Sequence, residues 1–241
     1  MMQISLMSKR TATVLIVVAL VLLLDQVLKI WVKLNMEYGE EFDILGLSWA
    51  RIHFVENEGM AFGLSLGGDW GKLALSLFRV VAVGFLVYII HTLIKSKEAI
   101  GVIFSFGLIL AGALGNIIDS AFYGLIFSAT PYHGGLATIF PEGGGYAPFL
   151  YGKVVDMLYF PMIDTVLPEW FPVWGGQRFQ FFRPVFNISD AAISSGVFSL
   201  LLFHRRIFKS RQSAEQVLEK GPAMNTGVAP SIDNTEGDHN S

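Results

Sequence analysis

The sequence predicts a mainly α integral membrane protein: four transmembrane helices with a small extracytoplasmic β-structured cradle and a loop insertion. Three observations carry this. Of 241 residues, 53% are hydrophobic and only 15% are charged, against about 25% charged in an ordinary soluble domain. The mean hydropathy is +0.53. The apolar residues are gathered into four runs of roughly 20 residues, the length an α-helix needs to cross a bilayer core.

The first run covers residues 11–34 and carries Asp25, Lys29 and Lys33 in its second half. Lys9 and Arg10 ahead of an apolar stretch also fit a cleavable signal peptide, but no small-residue cleavage site follows Leu24. Asp25-Gln26 follows instead, and apolar residues continue to Leu34, so an uncleaved helix is expected. In the first outer loop, 35–71, Phe42–Leu45 and Leu47–Phe54 flank Gly46 with alternating apolar and polar residues, which predicts a β-hairpin. The second helix, 72–94, contains Arg79, and the third, 99–122, contains Asp119. Residues 123–184 are rich in Gly, Pro and aromatics and predict an irregular outer insertion with some strand, Gly152–Phe160 among it. The fourth helix, 185–203, contains Asp190. Residues 1–208 thus form one membrane domain, and 209–241 a polar, largely disordered cytoplasmic tail.

Orientation follows from the placement of Lys and Arg. Lys9 and Arg10, Lys95 and Lys97, and Arg205, Arg206, Lys209, Arg211 and Lys220 fall on one side. The opposite loops carry only Arg51, Lys153, Arg178 and Arg183. Both termini are expected in the cytoplasm, with the two longer loops outside. The absence of cysteine excludes disulfides, thiolate metal sites and a cysteine nucleophile. A net charge of −3 supplies no field for nucleic acid. His53, His91, His133, His204 and His239 are widely spaced and form no metal-binding motif.

Charge inside a spanning helix costs a few kcal/mol per residue and needs a reason. Lys29 and Lys33 lie near a helix end, where snorkelling to the interface is expected, with Asp25 and Lys29 able to pair at i,i+4. Arg79 is expected to snorkel at the outer end of its helix. Asp119 and Asp190 each follow an Asn at i−3, in Asn116-Ile117-Ile118-Asp119 and Asn187-Ile188-Ser189-Asp190. That spacing puts both members on one helix face. A third acid, Asp156, lies in Val154-Val155-Asp156-Met157-Leu158, either paired with Lys153 or available for chemistry. Two carboxyl groups brought together share one proton. The ionised one can then activate water while the protonated one polarises a carbonyl.

These blocks resemble the bacterial lipoprotein signal peptidases (signal peptidase II), a family of four-helix membrane aspartic peptidases. The resemblance rests on Asp25-Gln26, Asn57-Glu58-Gly59-Met60-Ala61-Phe62-Gly63, Gly112–Asp119, Val154-Val155-Asp156 and Phe186–Ala191, in family order. It implies that Asp156 and Asp190 form the catalytic dyad, and that Asp25, Asn57, Asn116, Asp119 and Asn187 support the site or bind substrate. It implies an endopeptidase that removes the signal peptide from diacylglyceryl-modified prolipoproteins, cutting before the lipidated cysteine. It further implies no cofactor or metal, inhibition by globomycin-type compounds, membrane lipid and prolipoproteins as partners, and a monomer. The family commonly has Arg after the helix-three Asp, where this chain has Ser120. A basic partner for Asp119 or for substrate is thus missing there, and Arg178 and Arg183 are the candidate replacements. The insertion and tail are also longer than the family pattern. A small transporter is the rival reading, since carriers also use intramembrane acids, but four helices are few and no inverted repeat is visible. A non-catalytic scaffold would leave the paired N-x-x-D motifs without purpose.

Overall fold

A computed structural model describes residues 8–57, 68–181 and 184–203. Helix α1 (Lys9–Asn35) starts on Ser8, whose hydroxyl accepts from the Thr11 backbone N–H, a serine N-cap that satisfies one of the orphan donors of a helix start. Strands β1 (Glu41–Ile44) and β2 (Leu47–Asn57) follow, then α2 (Gly68–Lys95) and α3 (Ile100–Ile118). A π-helical turn (Asp119–Tyr123) and the short α4 (Gly124–Ile126) extend α3. Strands β3 (Val154–Tyr159), β4 (Ile163–Val166), β5 (Arg178–Phe181) and β6 (Val185–Phe186) lead to α5 (Ile188–Phe203). Three helices, Lys9–Asn35, Trp70–Lys95 and Ile100–Ile126, are long and apolar enough to cross a membrane. The fourth has 16 described residues. It begins at Ile188 rather than 185, because Val185 and Phe186 pair as a strand with β3. Glu58–Gly63 and the tail lie outside the described residues.

The predicted hairpin is present. Leu45 and Gly46 both have positive φ, 53° and 74°, the two-residue geometry that matches strand twist. The sheet has order β1-β2-β3-β6 and is antiparallel throughout. Side chains alternate along β3. Val155 and Met157 enter a core with Val32, Met36, Ile52, Phe54, Tyr123 and Phe127, so Asp156 turns to the other face. On that strand Leu158 pairs with Phe186, and one residue later the chain enters α5. This pairing brings the start of α5 beside Asp156.

The insertion is anchored to the π-helical turn. Ser120 O accepts from Gly152 N at 2.8 Å and Gly124 O from Ala147 N at 3.0 Å, carbonyls taken up by the insertion's backbone. At its other edge Lys33, fully buried, meets Glu56 and donates to Thr130 Oγ1 at 3.0 Å. Lys33 therefore does not snorkel: its ammonium ties α1 to β2 and to the insertion. The expected strand content of the insertion is β3, as the Gly152–Phe160 stretch predicts, with the β4–β5 hairpin and, among the described residues, a bridge between Phe127 and Ile139.

Helices α3 and α5 approach closely because Gly115 has no side chain. A Cβ there would run into Ser189 Oγ and come within 2.7 Å of Asp25 Oδ2. Gly115→Ala is expected to cost about 1–3 kcal/mol through overpacking. Thermal unfolding of the purified protein in detergent measures this. Gly84→Ala, where an added Cβ meets nothing within 4 Å, is expected to leave the transition in place.

Candidate active site

Asp25, Lys29 and Asp119 are fully buried. Lys29 Nζ lies 2.9 Å from Asp25 Oδ2, 2.8 Å from Asp119 Oδ2 and 3.1 Å from Asn116 Oδ1. Three acceptors match the three donors of an ammonium. The expected Asp25–Lys29 pair forms, but Lys29 does not snorkel. It is the basic partner of Asp119 that the sequence seemed to lack. Gln26 closes the group: its Nε2 donates to Asp25 Oδ2 at 3.1 Å and to Asp119 Oδ1 at 3.0 Å, and its Oε1 accepts from the Tyr123 hydroxyl at 3.1 Å.

Each carboxylate of this cluster grips a backbone N–H. Asp119 Oδ2 accepts from Val155 N at 3.2 Å, and Asp25 Oδ1 accepts from Ser189 N at 2.9 Å. Val155 precedes Asp156, and Ser189 precedes Asp190. The ion cluster therefore fixes the backbone next to both remaining acids.

Those acids are linked by Asn187. Its Nδ2 donates to Asp156 Oδ1 at 2.7 Å, and its backbone N–H donates to Asp190 Oδ2 at 3.3 Å. Asn187 Oδ1 in turn accepts from Asp190 N at 3.0 Å. This reciprocal pair is a capping box at the start of α5, with Asn at N-cap and the acid at N3. Asn116 Nδ2 donates to Asp190 Oδ1 at 2.8 Å, and Asn116 Oδ1 accepts from Asn187 Nδ2 at 3.1 Å. Asn57 Nδ2 reaches Asp156 Oδ2 at 3.4 Å. All seven residues singled out in the sequence, Asp25, Asn57, Asn116, Asp119, Asp156, Asn187 and Asp190, thus belong to one connected network. Asp156 is 4% exposed. Burial, and next the charge of Asp190, push its carboxyl up to about 7 against hydrogen bonds from Asn187 and Asn57 and the charge of Lys29. A carboxyl so placed holds a proton near neutrality beside a second carboxylate, the arrangement of acid-pair hydrolysis.

The sequence reading does not place Gln26, Lys29, Arg79, Ser120 or Tyr123 among the site residues. Arg79 is half-buried and donates from Nη1 to Ser120 Oγ at 3.0 Å. It does not snorkel, and it occupies the neighbourhood for which Arg178 and Arg183 were candidates. Arg178 is exposed on β5, and Arg183 lies outside the described residues. The signal for Arg79 was present: Lys72, Ser76 and Arg79 recur at the spacing of one helix face.

Helices of bilayer length around two carboxyl groups bridged by one asparagine are the equipment of a membrane aspartic protease. Residues 17–206 match the family model for signal peptidase (SPase) II. The lipoprotein signal peptidase of Porphyromonas gingivalis is 47% identical over 205 residues, covering 85% of this chain and 88% of that protein. That of Amoebophilus asiaticus is 35% identical over 204 residues, covering 83% and 78%. The chain belongs to the signal peptidase II family. A bacterial membrane enzyme solved by the in meso method at 1.9 Å shares the fold, with a TM-score of 0.52 and 23% identity over 79% of this chain and 91% of that one.

Two substitutions probe the network. Lys29→Met leaves two buried carboxylates without their cation and is expected to cost about 3–5 kcal/mol, the range for breaking a buried ion pair. Denaturant unfolding in micelles reads that loss. Asn187→Ala removes a cap worth about 1 kcal/mol, so a modest fall in melting temperature should accompany a much larger fall in hydrolysis. Equal proportional losses would make Asn187 a helix cap alone.

Proposed function

We propose that this protein removes the signal peptide from diacylglyceryl-modified prolipoproteins, cutting before the lipidated cysteine, with Asp156 and Asp190 as the catalytic dyad. The observation that carries this reading is the double contact of Asn187, which holds Asp156 through its side chain and Asp190 through its backbone. Asn116, Asp25, Asp119 and Asn57 position the pair. Asp156, the deeper member, holds the shared proton. Asp190 takes a proton from water, which attacks the scissile carbonyl. Asp156 donates its proton to the developing oxyanion; as the intermediate collapses, Asp190 passes the proton it took from water to the leaving amine and Asp156 recovers its own. The bacterial relatives support a place in the inner membrane, and the distribution of Lys and Arg supports cytoplasmic termini with the dyad near the outer face. A globomycin-type inhibitor would occupy the dyad, and the enzyme acts as a monomer.

Cleavage of a diacylglyceryl-modified prolipoprotein by the purified protein tests the reading. Wild type is expected to release the signal peptide, and Asp156→Asn and Asp190→Asn each to reduce turnover to background while still binding lipopeptide. Turnover surviving in either folded variant would remove that acid from the dyad. The pH dependence has a defined sign. Burial pushes the Asp156 carboxyl up to about 7, so kcat/KM is expected to fall as pH rises through that value and the proton on Asp156 leaves. A profile still rising well above neutrality would be incompatible with this assignment.

A further inference from the structure

Arg79 is the only Asp, Glu, Lys or Arg between Lys72 and Lys95 in α2. The face that carries it is turned inward: Ser76, one turn earlier, donates to Leu150 O at 2.8 Å in the insertion. A guanidinium has five N–H donors and no acceptor. Arg79 commits Nη1 to Ser120 Oγ at 3.0 Å, and among the described residues no carboxylate lies within ion-pair distance of it. Through Ser120 the guanidinium stands one residue from Asn116, on the α2 side of the carboxyl pair. Ser120 is itself oriented, since its hydroxyl donates to Asn116 O at 3.0 Å. Asn116 in turn holds Asp190. An arginine on a spanning helix that, among the described residues, spends only one of its N–H groups needs acceptors. Around a scissile bond beside a lipidated cysteine, the acceptors are carbonyl oxygens.

We infer that Arg79, presented by Ser120, binds a carbonyl oxygen of the lipidated substrate next to the dyad. This rests on the peptidase reading above. The position that carries arginine in the resembling family is Ser120 here, and the guanidinium arrives from α2 instead. The bound carbonyl belongs either to the peptide backbone or to a glyceryl ester. Arg79 is then a substrate-binding residue and Ser120 a positioning residue.

The test uses the full-length protein in lipid nanodiscs, with a diacylglyceryl-cysteine peptide and its diether analogue, which lacks the ester carbonyls. Wild type must cleave the diester first; if it does not, the peptidase reading fails and not this inference. Arg79→Gln is expected to lower kcat/KM by about 10- to 100-fold, the worth of a charge-assisted hydrogen bond, with the melting transition retained. Arg79→Lys, which keeps the charge, is expected to lose less. Ser120→Ala is expected to raise KM more than it lowers kcat, and Ser120→Thr, which restores the hydroxyl, to recover it. Ser120→Arg in the Arg79→Gln background returns a guanidinium to the same space and should regain activity. The diether substrate assigns the carbonyl. If the ester is held, the Arg79→Gln penalty disappears on the diether. If the peptide is held, it is the same on both. Folded Arg79→Gln with wild-type kcat/KM on the diester overturns the inference. If Arg79→Gln does not fold, wild-type KM in both Arg79→Lys and Ser120→Ala overturns it equally.

Discussion

The structure depends on one ammonium group. Lys29 is taken wholly out of solvent and holds two carboxylates, each of which has a second task. Asp119 fixes the backbone N–H beside Asp156, and Asp25 fixes the one beside Asp190. Taking three charges out of water is expensive, and such clusters seldom repay the cost as net stability. What this one supplies is geometry. A strand and a helix far apart in sequence are held by a single rigid hub on α1 and the end of α3. Among the described residues, no Lys or Arg pairs directly with Asp156 or Asp190.

The two N-x-x-D motifs look equivalent in sequence, and their physics differs. Asn187 and Asp190 are N-cap and N3 of a capping box, so their bond satisfies the orphan N–H groups of a helix start. Asn116 and Asp119 stand in continuous helix, where the acid opens a π-helical turn, a distortion common at functional sites. There the Asn reaches across to Asp190 and the acid turns back to Lys29. Spacing of three residues is the same in both settings, so a pattern in the sequence cannot separate them.

Much of the fold was legible. Hydropathy placed three spanning helices to within a few residues, and Gly46 marked the hairpin. The start of α5 was misplaced because Val185 and Phe186 are as apolar as the helix they precede. Their strand character comes from β3, more than 20 residues earlier, and no local pattern records it. The site was legible as a set of acids and amides, since buried polar residues in apolar helices stand out. The cations were not. Lys29, Lys33 and Arg79 were read by depth along the helix, which favours snorkelling, but their fate is decided by the direction in which they point. For Arg79 the spacing from Lys72 and Ser76 held that information.

The dyad also draws its asymmetry from where its members stand. Asp190 is in the first turn of a helix, where the backbone N–H groups and the macrodipole favour negative charge. Asp156 is in the interior of a sheet with no such field, 4% exposed, and its carboxyl is pushed up by burial. A strand-borne carboxyl and a helix-borne one are therefore bridged by one asparagine in two different settings. The sheet requirement explains why the site lies at the end of the helices. β3 and β6 need every backbone group paired, which an open sheet cannot achieve against lipid. A pair built from one strand and one helix start belongs at the boundary, where water reaches one side and lipid the other. A substrate with a peptide on one side and acyl chains on the other presents itself at that same boundary.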